Sequence, residues 1–370
     1  MEQLISQEHF YLIYHMLFAT VAVSSLLFSL TIDLERNIII GFVNKWALFL
    51  LVCFLIIVGF RAYNVGTDTI NYFTYNYQMG FTSNSKSEIL FDFLIGKIRD
   101  FNLSFTVFLL IIASCYYLLF YSGFKKIANV YETPVLFLVL SFLSLFFSMN
   151  MGINIIRQGF SSALLFYGFS CYLNSEKITK VVLFIVLAVI THITAMIPLL
   201  MYLGCKFFTK SIPLKYFYLL FALGIGISFL NYGLLSIAPF LQQFASSEQR
   251  IGYITESNVT EYVVGFKPQF VAFNTFFLGI FIFIKSKLEE TEEDILASYT
   301  LLIKYYIVSS FIFFMAFQIS YSDRWGLFSW FVIPILIAPA FSVNLKFNKS
   351  ILVLLFTFIY IFFEFYGNTK

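Results

Sequence analysis

The chain has 370 residues, of which 60% are apolar and 12% charged, with a formal net charge of +3 and a mean hydropathy of +0.86. That balance excludes an ordinary soluble domain, and so small a charge gives no basis for a nucleic-acid partner. Continuous apolar runs, in place of alternating segments of about ten residues, point to spanning helices and away from a transmembrane barrel.

The expected fold is therefore all-α: a polytopic integral membrane protein, one transmembrane domain over 1–370, with about ten spanning helices. The first run, Phe10 to Ile32, follows Glu2 and Glu8 with no basic stretch, so it reads as a retained helix and not a signal peptide. A second run, Asn44 to Phe60, leads into the polar cluster Arg61-Ala-Tyr-Asn-Val-Gly-Thr-Asp-Thr69. The loop of about 61–102 also holds Ser85-Lys-Ser-Glu88, a capping-box pattern, ahead of an apolar stripe from Ile89 to Ile98 at helical spacing. This stripe suits an amphipathic helix lying in the interface.

Further runs follow at Leu103 to Gly123, Thr133 to Met149 and Ile153 to Leu173, the last carrying Arg157-Gln-Gly159. Val181 to Cys205 is next, then Leu214 to Tyr232, and a second long loop of about 234–267 with Arg250, Tyr253 and the sequon Asn258-Val-Thr260, suited to a lid. Pro268 to Ile284, Ser298 to Ile319, Trp325 to Phe341 and Ile351 to Tyr366 complete the series, with Ser322-Asp-Arg324 between two of them.

Lys and Arg in short connections stay cytoplasmic. A single crossing by Val181 to Cys205 would set Lys177 and Lys180 against Lys206, Lys210 and Lys215. The conflict disappears if this stretch enters and returns as two half-helices of about a dozen residues, each reaching roughly 17 Å. The turn falls at Thr191-His192-Ile193-Thr194, with Thr194 and Thr191 as caps. Irregular backbone at that depth needs protein or a wet cavity around it. With this hairpin the basic connections share one side, and Asp68, Arg157, His192, Asp323 and Arg324 fall on the other, where both long loops lie.

Gly66 suits a tight turn that projects Asp68, whose neighbouring hydroxyls can fix the backbone. Its plainer role is a helix-terminal cap. Arg157 at a helix start offers a guanidinium beside free amides, a seat for phosphate, or else a structural salt bridge to Asp68 or Asp323. His192 is either a packing residue or a base able to take a proton from a sugar hydroxyl. Asp323 and Arg324 read as substrate contacts or as a helix-end anchor. Cys53, Cys115, Cys171 and Cys205 lie in apolar runs without metal-ligand spacing and read as packing residues. No P-loop, nucleophile elbow or zinc helix is present, and no metal site is expected.

The order Gly66-Thr-Asp68, Asn71-Tyr72, Glu88 before an amphipathic run, Asn150-x-x-x-Asn154-x-x-Arg157-Gln-Gly159, His192-Ile-Thr-Ala195 and Asp323-Arg324 resembles EpsG-like membrane proteins. These are grouped with Wzy-type polymerases of bacterial exopolysaccharide, capsule and O-antigen. Ser161 and Ser162 precede Ala163, and Thr194 stands where the family commonly has serine, departures that keep small-residue and hydroxyl character.

The resemblance implies a GT-C-like, metal-independent membrane glycosyltransferase in the bacterial plasma membrane. It would join undecaprenyl pyrophosphate-linked oligosaccharide repeat units at the outer face, without a cofactor. A flippase and a chain-length regulator are the implied protein partners. On that reading His192, then Asp68, then Glu88 are the candidate bases. Arg157, Arg324, Arg61 and Arg250 meet the pyrophosphate, with Asp323, Gln158, Tyr72 and Tyr253 also contacting substrate. Tyr63, Tyr75 and Tyr77 are further rings for sugar stacking. A lipid-oligosaccharide flippase, an O-antigen ligase-like transferase and an O-acetyltransferase are the alternatives. A transporter would more often carry paired broken helices, one in each half.

Overall fold

The computed structural model describes residues 5–31, 36–80, 88–237, 264–288, 293–319, 321–342, 345 and 347–367. Among the described residues the regular elements are all helices, apart from one isolated backbone bridge between Ile5 and Arg61. The helices are α1 (Gln7–Thr31), α2 (Arg36–Gly59), α3 (Thr67–Asn71) running into a π-helical segment (Tyr72–Gln78), α4 (Ile89–Asp100) and α5 (Phe105–Tyr131). Then come α6 (Val135–Leu143), α7 (Phe147–Ile153), α8 (Ile156–Leu173), α9 (Ile178–Thr191), α10 (Met196–Phe208) and α11 (Leu214–Phe229). The last are α12 (Leu234–Ile237), α13 (Pro268–Leu288), α14 (Glu293–Met315), α15 (Asp323–Trp330), α16 (Ile333–Ile337) and α17 (Lys349–Gly367).

Six helical stretches among the described residues are long and apolar enough to cross a membrane: Gln7–Thr31, Ile40–Gly59, Phe105–Tyr131, Pro268–Leu288, Glu293–Met315 and Asp323–Phe341. The chain forms two compact units, Met1–Met196 with Ala338–Lys370, and Ile197–Ile337.

In the first unit α6 lies at the centre. Pro134 precedes it with φ −60°, pre-set for a helix start, and all nine of its residues are buried. A helix apolar on every side belongs in a core. The sequence predicts one span over Thr133 to Met149, yet α6 and α7 meet at an 82° bend. Serines take the carbonyls near the break: Ser144 Oγ donates to Ser141 O at 3.0 Å, and Ser148 Oγ to Leu143 O at 3.2 Å. Such back-bonding competes with the helix ladder, and the Tyr116 hydroxyl takes Ser148 O at 2.8 Å.

The expected break at His192 is present. α9 ends at Thr191, His192 is extended (φ −160°, ψ 120°), and a 3₁₀ turn, Ile193–Ala195, opens α10. The Thr191 hydroxyl bonds back to Leu187 O at 2.7 Å, so it does not cap the second half as expected. Ser161 on α8 supports the break instead, donating to Ala188 O at 2.8 Å and reaching His192 O at 3.5 Å. Lys126 and Lys180 both contact the Glu176 carboxylate, so these two lysines lie at one end of the unit, as the charge sorting requires.

The second unit is also knit by satisfied polar groups, since an unpaired one in an apolar core is costly. Asn274 on α13 is fully buried, donating to Ser310 and Ser329 and accepting from Trp330 Nε1 at 2.8 Å. Lys304 on α14 donates to Thr209 O and Ile212 O, each at 2.7 Å, binding carbonyls at the end of α10.

Candidate functional site

The polar cluster after α2 is folded onto the junction of α7 and α8. Gly66 has φ +87°, a conformation L side chains rarely adopt, and a Cβ there would meet Ile153 O at 2.2 Å. Asn154 Oδ1 accepts from the Asp68 amide at 2.8 Å and from Thr67 Oγ1 at 3.0 Å. Thr69 Oγ1 donates to Ile153 O at 2.5 Å. Hydroxyls fix this loop, as the sequence suggests, with Asn154 Oδ1 and Ile153 O as the receiving groups.

Arg61, 2% exposed, donates to Val58 O at 2.5 Å, Thr69 Oγ1 at 3.0 Å and Ile153 O at 3.2 Å. Its guanidinium therefore clamps α2, α3 and α7 together, in place of the pyrophosphate contact expected of it.

The charged centre has three members. Glu88, 4% exposed, contacts Arg157 Nη1 through Oε2 and His192 Nδ1 through Oε1, the latter at 3.0 Å. Arg157 Nε donates to the Tyr72 hydroxyl at 3.0 Å, and its guanidinium lies over the rings of Tyr72 and Phe91 at 5.0 and 5.9 Å. Phe91, Ile156, Phe160 and Ala188 form part of the apolar cluster beneath. Arg157 and Ser161 are four residues apart on α8 and so share one face: one presents a cation to Glu88, the other holds the backbone that carries His192.

The capping-box expectation fails here. Glu88 occupies the N-cap position of α4 with no side-chain cap bond, and Ser85 lies outside the described residues. A carboxylate so buried is sustained by paired charge, and that demand outweighs a local cap. Burial pushes the Glu88 carboxyl up, but the hydrogen bond from His192 and the charge of Arg157 prevail and hold it below its ordinary value.

An ionised carboxylate only accepts hydrogen bonds, so Nδ1 of His192 carries the proton. In the neutral ring Nε2 is then the basic nitrogen. Arg157 has five N–H donors, and with Nη1 and Nε engaged, its Nη2 pair remains for an anion; its side chain is 31% exposed. Asp68 lies within electrostatic reach: burial pushes the Tyr72 phenol up, Arg157 pulls it down, and Asp68 and Glu88 add to the rise.

The first unit thus brings together Glu88, Arg157, His192 and Tyr72, with Asp68 close by. Arg157 pairs with Glu88, in place of the structural partners Asp68 or Asp323. Gln158 is buried one position further round α8. Tyr63 is bonded to Thr106 at 3.0 Å and Tyr77 to Leu103 O at 2.6 Å, whereas Tyr75 is 52% exposed.

In the second unit Asp323 and Arg324 open α15, and the Arg324 guanidinium lies 5.1 Å from the Tyr321 ring centroid. Lys267, 8% exposed, donates to Ser322 Oγ at 2.8 Å and feels the Asp323 charge. Arg250, Tyr253 and the sequon lie outside the described residues, as does most of the expected lid. Among the described residues no group of three or more His, Cys, Asp or Glu side chains converges as a metal site.

Sequence reasoning missed Ser161, Asn154 as a docking acceptor, and Lys267. The four-residue spacing of Arg157 and Ser161 was a readable signal; Lys267 beside Pro268 carried none.

Long apolar helices around a buried carboxylate, guanidinium and imidazole define a multi-pass membrane protein with a polar site. The EpsG family profile matches residues 44–369, and the chain belongs to the EpsG family. That membership and the apolar helices make it a membrane protein of polysaccharide biosynthesis. No curated protein and no solved structure matches the chain.

Proposed function

We propose that the protein is a polysaccharide polymerase, joining oligosaccharide repeat units carried on undecaprenyl pyrophosphate by glycosyl transfer at the outer face of the bacterial plasma membrane. The observation that carries this reading is the Glu88 carboxylate, shared by Arg157 and His192. It orients an imidazole beside a guanidinium with donors to spare, which supports this reading, because glycosyl transfer from a pyrophosphate needs a base and a cation.

His192 Nε2 takes the proton of the acceptor hydroxyl as that oxygen bonds to the anomeric carbon of the donor sugar. The bond from that carbon to the pyrophosphate oxygen breaks, the electron pair leaves with the pyrophosphate, and Arg157 meets its charge. Glu88 orients the ring and stabilises the imidazolium. Asp68 helps to position the acceptor, and the exposed ring of Tyr75 offers a stacking surface for sugar.

On this reading the chain makes about ten crossings, α9 and α10 enter and return from one side, and the arrangement is GT-C-like. Asp323, Arg324 and Lys267 serve a second polar group of the lipid-linked substrates. A flippase supplies those substrates and a chain-length regulator limits the product.

The test is deletion followed by complementation. Loss of long-chain polysaccharide with survival of a lipid-linked single repeat is the expected result, restored by wild type and not by His192→Ala. Loss of the single repeat at the outer face as well would favour transport and sink the polymerase reading.

A further inference from the structure

Away from the charged site, α1 and α17 of the first unit enclose a cavity of about 540 Å³. The two helices run antiparallel, since His15 bonds Tyr360 at 2.6 Å while Ser29 bonds Ser350 at 2.8 Å. One wall is His15, Phe18, Ala19 and Ala22, a single helical stripe; the facing stripe runs through Thr357, Tyr360 and Glu364. Ala19 and Ala22 leave the space, and Tyr360 stacks on Phe18 with centroids 3.5 Å apart. Around it Met16, Ile361 and Phe365 are 63%, 46% and 75% exposed, an apolar rim on the outside of the molecule.

Polarity changes along this groove. Glu364 lies three residues from the end of α17 and His15 eight residues into α1, roughly 4.5 and 12 Å by helical rise. Beyond them the groove continues past Ala19, which is exposed, to Ala22, which is buried. Among the described residues Glu364 makes no hydrogen bond or ion pair, and no Lys or Arg lines the cavity. A carboxylate set among the apolar lining of this groove is costly unless something brings it a partner.

We propose that this groove binds one phospholipid with a primary-ammonium headgroup, its acyl chain along Phe18, Ala19 and Ala22 and its ammonium at Glu364. An ammonium supplies both the missing positive charge and donors for the carboxylate and the Tyr360 hydroxyl. A choline head has no donors, and an anionic head would meet Glu364 with like charge. The carboxylate thus selects the head and the alanines admit the chain. The site is independent of the catalytic reading, because none of its residues belongs to the charged centre.

Native mass spectrometry of the purified full chain, equilibrated with phosphatidylethanolamine, phosphatidylglycerol and phosphatidylcholine of identical acyl chains, tests it. The expected result is about tenfold preferential retention of phosphatidylethanolamine by wild type, falling to about twofold or less in Glu364→Gln. Ala22→Phe, which fills the groove, should lose retention altogether; thermal unfolding of both variants checks that they are folded. Equal or better retention of phosphatidylglycerol by wild type, or a preference unchanged in Glu364→Gln, would overturn the proposal.

Discussion

His192 Nδ1 and Glu88 Oε1 lie 3.0 Å apart across 104 positions of sequence. One residue sits in a helix break and the other at the start of an amphipathic helix, and neither location is stable alone. The break leaves carbonyls that Ser161 must take, and the buried carboxylate requires the cations that reach it. Each irregularity is therefore supported by the other elements of the site.

Arg157 tests the anion seat. Lysine keeps the charge but loses the planar fork that reaches Glu88 and Tyr72 together. Arg157→Lys should therefore impair polymer formation substantially, and Arg157→Ala more, by about 100-fold or greater. Assay with a defined lipid-linked repeat at matched protein amounts gives the answer; near wild-type polymer from Arg157→Ala removes this residue from the mechanism.

Gly66 tests the loop that carries Asp68. Alanine there combines a positive φ with a Cβ 2.2 Å from Ile153 O, so the loop must lift off the junction of α7 and α8. The expected loss is about 2 to 4 kcal/mol of stability. It should be visible as a lowered unfolding temperature in detergent, with activity lost alongside. Unchanged melting would mean that the contact does not hold the loop.

The ionisation of Glu88 gives a signed pH dependence. Its carboxyl is held below the ordinary value of 4.5 in the folded state, burial notwithstanding, by His192 and Arg157. The stability that its negative charge contributes is thus complete above that ordinary value, and it is lost as pH falls through the folded value. The difference in melting temperature between wild type and Glu88→Gln should shrink on acidification below about 4.5. A gap that widens on acidification contradicts this ion pairing.

The fold was legible where composition and charge act over whole segments. Apolar runs announced the long helices, and the distribution of lysines required a break near His192. Gly66 was readable because few other residues adopt its φ. The bend between α6 and α7 was not, because no proline or glycine marks it and the serines act only once the helix has opened. Glu88 reads as a capping-box member and as the third candidate base, and its ion pairs were not foreseen because its partners stand 69 and 104 residues away. Local rules see four residues, whereas a buried charge is decided by whichever opposite charges the fold delivers.

Membrane sidedness gives an independent check on the break at His192. Reporters fused after Lys126, Lys180 or Lys210 should behave as cytoplasmic, and reporters near Lys86 or Gln249 as extracytoplasmic, because basic connections remain inside. Opposite labelling at Lys180 and Lys210 would turn α9 and α10 into one crossing and end the re-entrant reading.

The assignment of the base is best decided by whether residues act as a unit. If Glu88 works through His192, then removing either disables the same step, and the double variant should be little worse than the poorer single one. His192→Gln and Glu88→Gln should each cost about 100- to 10,000-fold in turnover, with binding of the lipid-linked substrate retained in His192→Gln. Asp68→Asn, acting on the acceptor and not through the ring, should combine with His192→Gln multiplicatively. Full multiplicativity between Glu88→Gln and His192→Gln would separate the two residues, and undiminished polymerisation by His192→Gln would leave the histidine as a support of the break and move the base to Asp68.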